Sequence, residues 1–250
     1  MLISAIVPTT GARPTLLSRA LASIRDQAKP ADEIIVVVDG TSAAAGAVTG
    51  PAVRVVVTGT RYGAAAARNA GAKLASGRFL AFLDDDDAWK PLYLSTVFAT
   101  GTGFDVALSG FDKVSSGLAT PEKVPPERLL PEDFLVRNPG LRGSNLVITA
   151  ELFEKMAGFD ATLQSLHDLD FGYRLALVKH RYRRVVERLV DFHVHDGPRL
   201  SSAGSETNRA GLARFWQIYR SRMNDSQATN FRARALKLWG VDPAATEVQR

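Results

Sequence analysis

Four short runs of apolar, mostly β-branched residues punctuate the first third of the chain: LISAIV (2–7), EIIVVV (33–38), VRVVV (53–57) and RFLAFL (78–83). Runs this short with no polar alternation read as strands buried on both faces. Helical patterns lie between them. Pro14 can open a helix, because its missing N–H costs nothing at the first helical position. Leu17, Leu21 and Ile24 then recur at helical spacing, and GAAAARNAGAKLA (63–75) reads as a second helix. Strands alternating with helices predict an α/β domain, a mostly parallel central sheet with helices on both faces, joined by right-handed crossovers.

The pattern loosens after Pro91. FDVALSG (104–110) and NLVIT (145–149) read as strands, and 116–133, rich in Gly, Pro and charge, as a loop. Ala150 to Met156 is a short helix ended by Gly158, and 169–179 is amphipathic. Residues 182–195 alternate enough for a strand or hairpin. Residues 198–206 form a flexible loop, followed by helices to the end. There is no internal repeat and no clear linker. The 250 residues divide into a half at 1–100, a second half at 101–200 of the same domain, and a helical extension at 201–250.

Lys and Arg total 31 against 26 Asp and Glu, for a net charge of +5. Much of the excess sits in HRYRRVVER, RAGLARFWQIYRSR and NFRARALK. A basic C-terminal third suits nucleic acid or an anionic lipid, but an Arg-rich solvated face is the simpler reading. Phe215, Trp216, Ile218 and Tyr219 in these stretches are expected to pack on the body rather than stack on bases. Zero cysteines exclude a disulfide framework, a thiol nucleophile and a zinc–thiolate site. The start lacks the features of a signal peptide, and no apolar run approaches the ~20 residues that cross a bilayer. The expectation is a cytoplasmic protein.

The strongest chemical signal is Asp84-Asp85-Asp86-Asp87, four carboxylates at the end of a buried strand. Charges this close force protons onto some of them unless a cation is present. Hard divalent ions, Mg²⁺ or Mn²⁺, are held by such oxygens together with substrate phosphates, and ligands bind beyond strand ends in open α/β sheets. A solvated acidic turn is the alternative. Asp39 ends the second strand, and Thr9 and Thr10 follow the first. A carboxylate there can accept from a ribose or a base N–H, and groups after Pro8 can hold a base edge, although Asp39-Gly40 alone is an ordinary turn signal. Arg68 can project toward the same crevice and grip a phosphate, or pair with a nearby Asp.

Taken together, VPTTGARPTLLSRALASI, VVVDG and GAAAARNAGAKLASGRFLAFLDDDDAW resemble the donor half of family-2 glycosyltransferases with the GT-A fold. GSNLVITAELFEKMAGFDATLQSLHDLDFGYRLAL is similar to the acceptor half of that family. The resemblance implies a donor-binding half at 1–100, an acceptor-binding half at 101–200, and inverting transfer from a nucleotide-diphosphate sugar with a divalent metal. It further implies that Thr9, Asp39 and Arg68 bind the nucleotide and that Asp84 to Asp86 are the DxD element. Asp86 then becomes the metal ligand and Asp168 the general base. UDP is the favoured nucleotide, with dTDP and GDP open. The acceptor is a saccharide, a lipid-linked glycan or a small aglycone, with a protein carrier also allowed. A homodimer through the C-terminal helices stays open.

The family usually has Glu-Asp before the helix; this chain has His167-Asp168. Asp170 competes for the role of base, but Arg174 lies four residues later and is placed to pair with it. His193 and His195 share one face of a strand, and the resemblance favours His195 for the metal or diphosphate. A sugar-phosphate nucleotidyltransferase and a basic nucleic-acid-binding module are the rival readings.

Overall fold

A computed structural model describes residues 2–41, 53–194 and 205–245. Its sheet has nine strands: β1 (Ile3–Thr9), β2 (Glu33–Val38), β3 (Val53–Val57), β4 (Phe79–Phe82), β5 (Ala88–Trp89), β6 (Val106–Ser115), β7 (Leu118–Lys123), β8 (Leu146–Thr149) and β9 (Tyr182–Val194). Their order is β3-β2-β1-β4-β8-β6-β9-β5, with β7 paired to β6. The stretch β3-β2-β1-β4 is parallel. Beyond it the sheet is mixed. β8 runs antiparallel between β4 and β6, and β9 returns parallel to β6.

The continuous apolar runs of β1 and β4 are explained by two cores, and Ile35 and Val37 of β2 join Ala67 in a small third one. Ile3, Ala5 and Val7 of β1 join Phe79 and Ala81 of β4 in one, beneath α1 (Pro14–Arg25) and α3 (Tyr93–Val97). Ile6, Leu80 and Phe82 point the other way, as period-2 alternation requires. There they meet α5 (Ala150–Lys155), α6 (His167–Leu177), α7 (Glu206–Tyr219) and α8 (Asp225–Trp239). The chain also forms α2 (Ala64–Leu74) and a short α4 (Pro131–Phe134). Pro14 is the first residue of α1, where its lost N–H costs nothing. Gly71 lets α2 lie close on β1, since a Cβ there would stand 2.5 Å from Ile6 Cγ2.

Two expectations change, and of the two readings of 182–195 the strand is the one that forms. VRVVV (53–57) is not buried on both faces, because β3 is the edge strand of the sheet and leaves Arg54 and Val57 exposed. Residues 116–133 are not all loop: Ser116 and Gly117 turn with positive φ, and β7 folds back on β6. Every residue of β7 but Lys123 is exposed, so backbone pairing, helped by the Thr120 and Lys123 side chains, holds an edge strand that has no apolar pattern. Residues 182–194 form one strand rather than a hairpin, because β9 pairs along the whole length of β6. Phe215 and Trp216 are buried against α8 through Phe231, and Tyr219 is buried against Phe215 and Tyr173. Among the described residues no helix is long and apolar enough to cross a membrane.

Candidate active site

Because β1, β2 and β4 are parallel, their C-terminal ends share one edge, and the N-terminus of α6 comes up beside it. After β4 the chain turns through Asp84–Asp87, closed by the Asp87 N–H donating to Asp84 O at 3.1 Å. The turn rests on a 3-10 segment, Gly143–Asn145. The Ser144 hydroxyl accepts from the Asp84 N–H at 3.2 Å and donates to Asp87 Oδ2 at 2.5 Å. The Trp89 indole N–H donates to Ser144 O at 2.8 Å.

The four aspartates diverge. Asp84, Asp86 and Asp87 each offer an oxygen, all within 4.8 Å of one another. Asp85 turns back over β1, where Thr9 Oγ1 donates to it at 2.6 Å and Arg13 forms an ion pair. Arg13 also reaches Asp86 Oδ2 at 2.8 Å. Burial pushes the Asp85 carboxyl up to about 6, against the pull of Thr9 and Arg13. Asp87 is pushed well above the carboxylate range, first by burial and then by the charges of Asp86 and Asp84. Three hard oxygens that repel one another fit a divalent cation such as Mg²⁺ or Mn²⁺. The two residues that could belong to a DxD pair are therefore Asp84 and Asp86, and Asp87 supplies the third oxygen in place of Asp85.

Pro8 and Thr9 are buried within β1, and Thr9 is already committed to Asp85. Thr10 and Gly11, one turn further, line an open groove of about 420 Å³ with Gly40, Gly59 and Arg61. Asp39 accepts the N–H groups of Tyr62 at 2.8 Å and Gly63 at 2.9 Å, which fixes the groove wall before α2. Arg68 does not present a free fork. It is buried, ion-paired with Asp84, and its NH1 donates to His167 Nε2 at 2.8 Å, while the guanidinium lies 5.3 Å over the Phe159 ring. Burial opposes its charge, but Asp84 and Asp168 outweigh that cost. Because the guanidinium only donates, His167 Nε2 must accept, so the ring is neutral with its proton on Nδ1. Burial and then Arg68 lower the His167 pKa, in agreement.

Leu166, with φ 62°, is the residue before α6 and aims the first turn of that helix at this edge. Asp168 Oδ1 is buried without a hydrogen-bond partner. Asp170 on the far side of the helix is fully occupied: Arg174 donates at 2.6 and 2.9 Å and the Tyr219 hydroxyl at 2.6 Å. His193 contributes its backbone N–H to Asp87 Oδ1 at 3.1 Å. His195 lies outside the described residues, as does most of the 198–206 loop. Arg13, Arg61 and Ser144 escaped the sequence reading. The signal for Arg13 was the basic residue in VPTTGARP, and for Ser144 the GSN triplet.

The family profile "Glycosyl transferase family 2" matches residues 4–156. This span runs from β1 through the aspartate turn to α5. The chain belongs to glycosyltransferase family 2. An uncharacterized glycosyltransferase of Haemophilus influenzae is 30% identical over 129 residues, 49% of this chain and 44% of that protein. The succinoglycan biosynthesis protein ExoO of Rhizobium meliloti is 35% identical over 103 residues, 39% of this chain and 30% of that one. The aligned part is thus less than half of either relative. S. aureus TarS 1-349 in complex with UDP-GlcNAc superposes with a TM-score of 0.68 at 20% identity, covering 100% of this chain and 76% of that one. Its complex with UDP gives 0.62 at 19% over the same shares. At this identity the likeness is one of fold, and the fold is GT-A.

Proposed function

We propose that this family-2 glycosyltransferase transfers a sugar from a uridine-diphosphate donor, with inversion, to an acceptor hydroxyl or amine. One observation carries the reading: the buried, unpartnered Asp168 oxygen shares an edge with the Asp84–Asp86–Asp87 cluster, and Arg68 lies between them. The nucleoside lies in the groove of Thr10, Gly11 and Gly40, with Arg61 at its rim. The UDP and UDP-GlcNAc complexes of TarS support uridine. Asp39 shapes that groove and keeps lone pairs for a base or ribose. Asp84, Asp86 and Asp87 hold Mg²⁺ or Mn²⁺, with His195 the candidate fourth ligand. When bound, the ion neutralises charge on the departing diphosphate. Arg68 holds Asp84 toward that site and, through His167, ties it to the start of α6. Asp168 accepts the proton of the attacking acceptor. Asp170, saturated by Arg174 and Tyr219, holds α6 in place.

The test compares Asp168→Asn with Asp170→Asn. The first should keep UDP affinity and melting temperature while transfer, or slow hydrolysis of the UDP-sugar, falls about 10²–10⁴-fold. The second should lower the melting temperature more than the chemical step. An active Asp168→Asn beside a well-folded but inactive Asp170→Asn would reassign the base to Asp170.

A further inference from the structure

A basic surface runs outward from the acidic turn on the acceptor side. Lys123 stands opposite Phe111 in the β6–β7 pair, so the two side chains share a face of the sheet. The Arg142 guanidinium covers that face, 5.0 Å above the Phe111 ring and 3.9 Å above Phe192. Lys123 Nζ donates to Asn138 O at 2.5 Å, and the Asn138 side chain accepts from the N–H groups of Gly140 and Leu141. The 137–142 loop is thereby pinned over the end of β7; a Cβ on Gly140 would lie 3.3 Å from Pro125 Cα. Arg137 on this loop and Arg234 on α8 are exposed. Burial, and then the like charges of Arg142, Arg234 and Arg137, lower the Lys123 pKa. None of these four cations has an ion-pair partner among the described residues, whereas Arg174, Arg181 and Arg232 each hold an aspartate.

The surface is continuous with the catalytic edge. Gly143 follows Arg142 and abuts the Arg68 guanidinium, where a Cβ would come within 2.9 Å. Ser144 comes next and holds Asp87. An anion lying on Arg142 thus sits one or two residues from groups that frame the Asp84–Asp87 turn. Building on the transferase reading above, the geometry points to an anionic acceptor, a saccharide bearing carboxylate or phosphate groups that lies along Arg142, Lys123, Arg137 and Arg234. Guanidinium forks match both anions. Single-stranded nucleic acid fits less well, because it needs open aromatic faces for its bases, and here Arg142 covers both rings.

Binding of labelled hexagalacturonate, mannopentaose phosphate, neutral maltohexaose and a dT hexanucleotide, measured with UDP and Mn²⁺ present, tests this. At least one anionic sugar should bind, more tightly than maltohexaose and the oligonucleotide, and added salt should weaken it. The sugar that binds tells carboxylate from phosphate. R137A/R234A should weaken that binding about tenfold, as expected for lost charged contacts, with UDP affinity unchanged, and R137K/R234K should restore most of it. Equal binding of maltohexaose, no binding of either anionic sugar, an unaffected R137A/R234A variant, or preference for the oligonucleotide would each overturn the assignment. Failure of UDP itself to bind the unaltered protein would instead sink the donor reading.

Discussion

A carboxyl group held at about pH 6 inside the protein costs stability whenever it ionises, and Asp85 is such a group. Between about pH 4 and 6 the folded chain keeps a proton there that the unfolded chain has released. Stability therefore falls as pH rises through that window, by roughly 3 kcal/mol for a two-unit shift. Asp85→Asn keeps an acceptor for Thr9 and Arg13 but cannot ionise. Urea denaturation in EDTA should show a smaller loss between pH 4.5 and 7.5 for the variant than for the unaltered protein. An identical loss would show that Asp85 is not the titrating group. The sequence announced an acidic cluster here but not its internal division. Neighbouring side chains of a tight turn diverge, and which aspartate turns back depends on Thr9 and Arg13, more than seventy residues away. Arg68, expected to grip a phosphate or to pair with a nearby Asp, makes the pair with Asp84. Its helix face was legible, yet its partners Asp84 and His167 come from two other segments.

Helix α6 shows how an element is seated by contacts that only partly appear in its own sequence. The i,i+4 spacing of Asp170 and Arg174 was legible, and the pair forms. Arg174 also donates to Met156 O at 2.7 Å and Gly158 O at 2.8 Å, tying α6 to the end of α5, which no spacing rule reveals. Arg174→Ala strands the buried Asp170 charge with only the Tyr219 hydroxyl. It should cost about 3 kcal/mol, a fall of roughly 6–12 °C in melting temperature. UDP affinity measured well below that temperature should survive. A variant with unchanged melting temperature would mean that Asp170 is held by Tyr219 alone. Helix α2 makes the opposite case, a close approach written in small residues. Gly71→Ala gains up to about 1 kcal/mol of helix propensity but pushes a methyl into Ile6, and overpacking of that kind costs about 1–3 kcal/mol. Net destabilisation in thermal melts is expected, and a stabilised variant would show that α2 can lift freely from the sheet.

At the scale of the molecule, legibility follows contact range. In the β1–β4 half, β1, β2 and β4 are runs that bury both faces and declare themselves locally, while β3 is the half-exposed edge strand. In the second half β8 inserts antiparallel between β4 and β6, and β7 pairs with β6 without burying an apolar face, which hydropathy does not encode. The site spans both halves, because Ser144 from the segment before β8 holds the turn after β4. Donor and metal should consequently stabilise the whole domain rather than one half. UDP at 100 times its Kd adds about 2.7 kcal/mol, a rise of roughly 5–10 °C for a chain this size, and Mn²⁺ should enlarge the shift while EDTA reduces it. Asp86→Ala removes one of three mutually repelling carboxylates, yet Arg13 retains Asp85. Its melting temperature without ligand should be unchanged or higher, and the Mn²⁺-dependent part of the UDP shift should vanish. If the variant kept that part in full, the acidic turn would not be the metal site, and the mutual repulsion of its aspartates would have to be offset by the surrounding arginines, Arg13, Arg19, Arg68 and Arg142.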